Sequence, residues 1–286
     1  MPLLPAVVTT VQDARDWTRA AQRARRTVGV VPTMGALHAG HLSLVEAAKA
    51  ECDLAVTTIF VNPTQFAPGE DFERYPRNLQ ADCELLASVG TDLVFAPAVA
   101  DMYPPGHSTF VEVEGVSRPL EGAHRPTHFR GVATIVLKLF QALPADRAYF
   151  GQKDFQQTLV IKRMTADLDL PIEIRVRPIV REPDGLAMSS RNRYLSADER
   201  RRALVLSQSL AEAQQLVAAG ERDAATILAK LRPMFAAVNV PLDYLVLADP
   251  DTLADKPRID GPTVLAIAAR VGATRLIDNA VLAPER

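Results

Sequence analysis

Between Thr27 and about Val180 the chain alternates short β-branched runs with stretches whose apolar residues recur at helical spacing, and that alternation leaves few folds open. Val28–Val31, Leu54–Val61, Asp92–Phe95, Arg147–Phe150 and Ile172–Val176 read as strands. His41–Cys52, Asn78–Val89, Val132–Leu143 and Asp154–Asp167 read as helices; in the third, Val132, Ile135, Val136, Leu139 and Phe140 fall on one helical face. Strand and helix in turn imply right-handed crossovers and a mostly parallel α/β sheet covered on both faces. Such a sheet binds ligands beyond the C-terminal ends of its strands. The stretches Ala96–Gly106 and Ser117–Arg130 read as long loops near that edge, where long loops tend to be functional.

The pattern changes after Arg193. Ser196 and Glu199 form a capping-box sequence ahead of a helix over Arg200–Gly220, and a second helix follows over Arg222–Val238. Asp243–Leu247, Thr263–Ala268 and Thr274–Ile277 then read as strands, with no helix between the last two, which predicts a small α+β unit with antiparallel pairing. A boundary near 180–187 divides the chain into an expected N-terminal domain, 1–183, and a C-terminal domain, 184–286. With 32 Lys and Arg against 34 Asp and Glu, the net charge of −2 implies no field for a polyanion, so nucleic acid is not an expected partner. No apolar run approaches the roughly 18 residues that span a bilayer, and Met1–Val11 lacks a basic segment followed by an apolar core. Cys52 and Cys83 sit at no framework spacing, which suggests free thiols and a cytoplasmic enzyme.

Four clusters carry candidate chemistry. Met34–His41 places two imidazoles around Gly40 where a strand hands over to a helix, and a helix N-terminus favours anions through unpaired N–H groups and its partial positive charge. The same His-x-Gly-His can be a metal-ligand pair or two ordinary polar residues at a helix start, and no third or fourth ligand stands at metal spacing beside it. Phe60–Phe66 offers Asn62 and Gln65 to the hydroxyl and carboxylate of a small substrate, or serves as strand-to-turn punctuation. Phe150–Gln157 offers a close turn at Gly151, a point charge at Lys153, and Asp154 for a ribose or Mg²⁺; Gln157 lies one turn further on. The alternative there is a solvated helix start. Met188–Asn192, primed by Asp184 and Gly185, reads as a mobile anion clamp or as a charged surface loop. Arg130 can add charge from the second long loop. No nucleophile motif supports covalent catalysis.

Taken together, these residues resemble a known family. His38–His41 with Met188–Arg191 is similar to the paired signatures of the adenylate-forming His-x-Gly-His nucleotidyltransferase superfamily. Val31–His38, Phe60–Phe66, His128–Val132, Phe150–Gln157 and Gly185–Tyr194, in that order, resemble the pantothenate synthetases, which are pantoate–β-alanine ligases; the likeness covers about 27–195 and returns at Arg270–Asn279. The superfamily's lysine in the serine-rich clamp is absent, and Arg191 closes this version, which keeps charge with a different donor geometry.

The resemblance implies a Rossmann-like N-terminal domain, a smaller C-terminal α+β lid and a cytoplasmic homodimer in the route to coenzyme A. It implies condensation of (R)-pantoate with β-alanine through pantoyl adenylate, releasing AMP and pyrophosphate, with Mg²⁺ accompanying ATP. Its ATP site would comprise Met34, Gly35, Ala36, Leu37, His38, Ala39, Gly40, His41, Gly151, Gln152, Lys153, Asp154, Val180, Met188, Ser189, Ser190 and Arg191. Gln65 and Gln157 would hold pantoate, and Gln65 would also meet β-alanine. His41 would be the proton donor, with His38, Lys153 and Arg191 as the other catalytic groups; the metal ligands stay open. Three other readings compete: a tRNA-charging enzyme, a nucleotidylyltransferase whose product keeps AMP, and a non-catalytic nucleotide or metal binder.

Overall fold

A computed structural model describes residues 3–67 and 69–284. Met1 and Pro2, part of the segment read for a leader, lie outside them. The chain forms two compact units: one takes the residues up to Gly151 together with Gln156–Pro178, the other Gln152–Phe155 together with the chain from Ile179 onward.

The first unit is a six-stranded, all-parallel sheet of β1 (Ala6–Val8), β2 (Val28–Thr33), β3 (Leu54–Ile59), β4 (Leu93–Phe95), β5 (Arg147–Gly151) and β6 (Glu173–Arg177), in the order β1-β4-β3-β2-β5-β6. Chain order moves one way from β2 through β3 to β4 and the other way through β5 to β6. The switch point therefore lies between β2 and β5, where Rossmann-like sheets open a ligand crevice.

Its helices are α1 (Val11–Arg23), α2 (Ala39–Glu51), α3 (Leu79–Ser88), α4 (Val99–Met102), α5 (Glu121–His124), α6 (His128–Ala142) and α7 (Phe155–Asp167). Leu44, Val45 and Ala48 of α2 and Leu86 of α3 close on Val31, Ala55, Val94 and Tyr149. α1 packs on α6 and on β2. Gly29 in β2 makes room for Tyr149, whose ring carbon would lie 2.9 Å from an added Cβ.

The second unit holds α8 (Ala197–Ala203), α9 (Val205–Ala218), α10 (Ala224–Ala237) and an antiparallel sheet β7 (Leu242–Ala248), β8 (Thr263–Val271) and β9 (Thr274–Leu282), in that order. α9 packs on α10, β8 and β9 around Leu206, Leu210, Ile227, Leu231, Phe235 and Ile267.

β1 and α1 lie ahead of the elements expected from the pattern; a three-residue edge strand such as β1 carries no usable period. Three expectations differ from the structure. The two long loops contain α4 and α5, and Arg130 lies in α6 rather than in a loop. The helix expected over Arg200–Gly220 starts at Ala197 and is interrupted at Leu204, which keeps right-handed backbone angles. β8 and β9 run on to Val271 and Leu282, joined by Gly272 and Ala273, with Gly272 at φ 58°.

Candidate active site

In the first unit, β2, β3 and β5 end at the same sheet edge because they are parallel. Past Thr33 the backbone turns through Gly35 (φ 80°) and Ala36 (φ 52°), a left-handed pair that glycine tolerates and alanine resists. The turn is fastened at both ends. Gly35 N–H donates to Thr33 Oγ1 at 3.2 Å, while Ala36 and Leu37 N–H donate to the two carboxylate oxygens of Asp82 at 3.0 and 2.9 Å.

His38 then caps α2. Its Nδ1 accepts from Gly40 N–H at 3.2 Å, and His41 N–H donates to its carbonyl at 2.8 Å. Since Nδ1 supplies a lone pair, the neutral ring carries its proton on Nε2 and presents that atom as a donor. The His38 and His41 rings lie 4.1 Å apart between centroids, tilted by 33°. The backbone donors of this segment are thus largely committed within the protein.

At the end of β3, Asn62 brackets the turn that follows. It is 1 % exposed; its Oδ1 accepts from Thr64 Oγ1 and Tyr103 OH, each at 2.9 Å, and its Nδ2 donates to the Gly131 carbonyl and to Gln65 Oε1. Gln65 is left with its amide nitrogen against Met34 Sδ at 2.9 Å, which joins the β3 and β2 segments side by side. Its carbonyl is held by His128 Nδ1 at 2.8 Å and by Arg125 at 3.2 Å.

Arg125 also grips Glu70 with two bonds of 2.6 and 2.7 Å. Burial alone would raise the Glu70 carboxyl, but the Arg125 contact outweighs it and holds the group below the usual carboxylate range. Burial and the neighbouring guanidinium push His128 down to about 4, so its ring is neutral at physiological pH. The carbonyl at Nδ1 then fixes the proton there, and Nε2 accepts from Arg125, 3.2 Å away.

Gln157 is partly exposed on α7 beside the buried Gln156, which is consumed by the Val116 and Pro119 carbonyls and Glu121 N–H. Arg130 lays its guanidinium 4.0 Å over the Phe110 ring. Gly151 needs no special backbone angle, and a Cβ there would meet nothing within 4 Å. The fold makes no demand for glycine at this position. A molecule approaching the end of β5 would.

In the second unit, Gln152–Asp154 forms a 3₁₀ turn braced by Asn279 of β9, which is 3 % exposed. The Asn279 amide donates to the carbonyls of Gln152 and Lys153, each at 3.0 Å. Lys153 Nζ lies 3.9 Å from the half-exposed Asp154 carboxylate.

Val180 and Met188 meet where Met188 N–H donates to the Val180 carbonyl at 3.0 Å, closing a hairpin whose tip is Gly185 at φ 95°. Ser189 caps the 3₁₀ helix Ser190–Tyr194. Asn192 ties that helix to Glu182 Oε1 (2.6 Å) and to the Ala187 carbonyl (3.0 Å), and Arg181 pairs with the buried Asp278 at 2.7 Å. Rather than an open loop, Met188–Arg191 is a braced segment.

Sequence reasoning did not find Asp82, Arg125, His128 as a bracket, or Asn279. An aspartate in a first helical turn is ordinary, and each of the four has a defining partner far away in sequence: Ala36 and Leu37 for Asp82, Glu70 for Arg125, Gln65 for His128, and Gln152 and Lys153 for Asn279. Among the described residues no group of three His, Cys, Asp or Glu is placed to hold a metal ion. No helix among the described residues is long and apolar enough to cross a membrane.

The profile of the family described as pantoate–β-alanine ligase matches residues 6–281. A pantothenate synthetase of Acidobacterium capsulatum is 58% identical over 258 residues, covering 90% of this chain and 86% of that protein. The crystal structure of a pantothenate synthetase from Thermus thermophilus superposes with a TM-score of 0.92 at 45% identity, over 98% of this chain and 100% of that one. A Francisella tularensis pantoate–β-alanine ligase, complexed with βγ-ATP and β-alanine, gives 0.81 at 33% identity, covering 97% of each chain.

Proposed function

The chain belongs to the pantoate–β-alanine ligase family, and from that premise we propose that it uses ATP to join pantoate to β-alanine through pantoyl adenylate. The observation that carries this reading is the meeting of Gln65 with Met34. The amide assigned to the acid substrate touches the segment assigned to the nucleotide, which is what attack of a carboxylate on a phosphate requires.

In the first step a pantoate carboxylate oxygen attacks the α-phosphorus, the bond from that phosphorus to the bridging oxygen breaks, and pyrophosphate leaves. Phosphoryl chemistry of this kind asks the protein for alignment and charge neutralisation rather than covalent help. Gln65 and Gln157 hold pantoate. His38, through Nε2–H, and His41, as proton donor, follow the charge that develops on the leaving oxygen. Lys153 and Arg191 supply fixed positive charge. Met34–His41, Gly151–Asp154, Val180 and Met188–Arg191 line the ATP. Mg²⁺ bound with the nucleotide would neutralise phosphate charge.

In the second step the neutral amine of β-alanine, held beside Gln65, attacks the acyl carbon. The carbon–oxygen bond to AMP breaks, and the amine sheds its proton. Because water competes for an acyl adenylate, the C-terminal domain serves as a lid during this interval. We place the enzyme as a homodimer in the cytoplasm; its two cysteines are free thiols and buried, as a reducing compartment allows.

Pantoate labelled with ¹⁸O in its carboxylate tests the route. One labelled oxygen should appear in AMP for each pantothenate formed. Label in inorganic phosphate, with ADP as co-product, would refute the adenylate.

A further inference from the structure

Asp82 is an internal anion where a ligand's would be expected. It sits in the first turn of α3, 4 % exposed, yet both its oxygens leave that helix and bind consecutive N–H groups of the turn before His38. Consecutive N–H groups in such a turn converge into a concavity that takes an anion, and here a carboxylate of the chain fills it. The fit is close: a Cβ on Gly35 would lie 2.9 Å from Asp82 Oδ2 and 3.1 Å from Ile59 Cγ2. Ala36, held at φ 52°, adopts a conformation that an L-residue keeps only when its surroundings impose it. The next residues along the chain are the cap of α2 and its two imidazoles, so any relaxation of this turn moves His38 first.

We propose that Asp82 is a positioning residue for the ligase reaction: it holds the Gly35–Ala36 turn in its left-handed form and thereby sets the register of His38 and His41. The inference rests on the reading given under Proposed function. It also means that the N–H groups of Ala36 and Leu37 are unavailable to phosphate, so this segment meets ATP through its other groups.

The test is Asp82→Asn, which preserves shape but leaves one acceptor for two donors and turns an amide N–H toward the other. Turnover in pantoate-dependent pyrophosphate exchange, corrected for the folded fraction, should fall at least about tenfold, the scale of a misaligned donor. The ¹⁵N resonances of the His38 and His41 imidazoles should shift. Adding Ala36→Gly removes the left-handed penalty, so the double variant should recover about fivefold in turnover and move the resonances back. Turnover within twofold of the parent, even with a lowered melting temperature, would overturn the inference. So would unshifted imidazole signals, or a loss that Ala36→Gly leaves untouched. A parent chain without exchange would count against the ligase reading instead, while the imidazole signals still decide the role of Asp82.

Discussion

At the residue scale, hydrogen bonds fix the polar atoms of the candidate site. His38 gives Nδ1 to its own helix; Gln65 gives its oxygen to Asn62 and keeps its amide nitrogen beside Met34. Removing a positioned donor in such a site costs about a hundredfold or more. His41→Ala and Lys153→Ala should therefore each slow adenylate formation by at least about a hundredfold in pantoate-dependent exchange, and near-normal turnover in either would show its role misassigned. His128 makes a different prediction, about stability. Its pKa falls from 6.5 to about 4 on folding, so between those values the unfolded chain binds a proton that the folded chain refuses. Stability from this group is complete above about pH 6.5, declines as pH falls toward 4, and amounts to on the order of 3 kcal/mol. His128→Asn keeps a donor for the Gln65 carbonyl and does not titrate. Its melting temperature should depend less on pH across that window than the parent's, and an unchanged slope would contradict the assignment.

At the scale of elements, the site is made by strand ends and the turns that leave them. The alternation of β-branched runs and helical faces identified β2 to β6, and the parallel order then placed Met34–His41, Phe60–Gln65 and Gly151 at one edge. The brackets escaped that logic. That Tyr103, 41 residues away, donates to Asn62 is not legible in the motif, and nothing in the period of α3 marks Asp82 as a partner of the β2 turn. Close packing between elements is equally silent in sequence. Gly131 lets the start of α6 press against the turn that carries Gln65: an added Cβ would collide with the Thr64 carbonyl and lie 2.8 Å from Gln65 N. Gly131→Ala should cost about 1–3 kcal/mol of stability and raise KM for pantoate, because relief requires Gln65 to move. Wild-type melting and KM would mean that the turn gives way elsewhere.

For the whole molecule, the sheet order opens a crevice beside β2 and β5, and the family match runs from residue 6 to 281, through every segment assigned to the proposed reaction. The second unit has a separate core; within it Asn279 supports the Lys153 turn and the 180–188 hairpin aligns Val180 with Met188. The change of pattern after Arg193 announced that second fold. That Gln152–Phe155 group with it was not readable, since the hydrogen bonds that tie this turn to β9 come from Asn279, more than a hundred residues on. On the proposed route pantoate is activated by adenylation before any amine is needed, and incubating the chain with ATP, Mg²⁺ and labelled pyrophosphate, without β-alanine, isolates that step. Label should enter ATP only when pantoate is present. Exchange that ignores pantoate, or that starts only when an amino acid replaces it, would contradict the account.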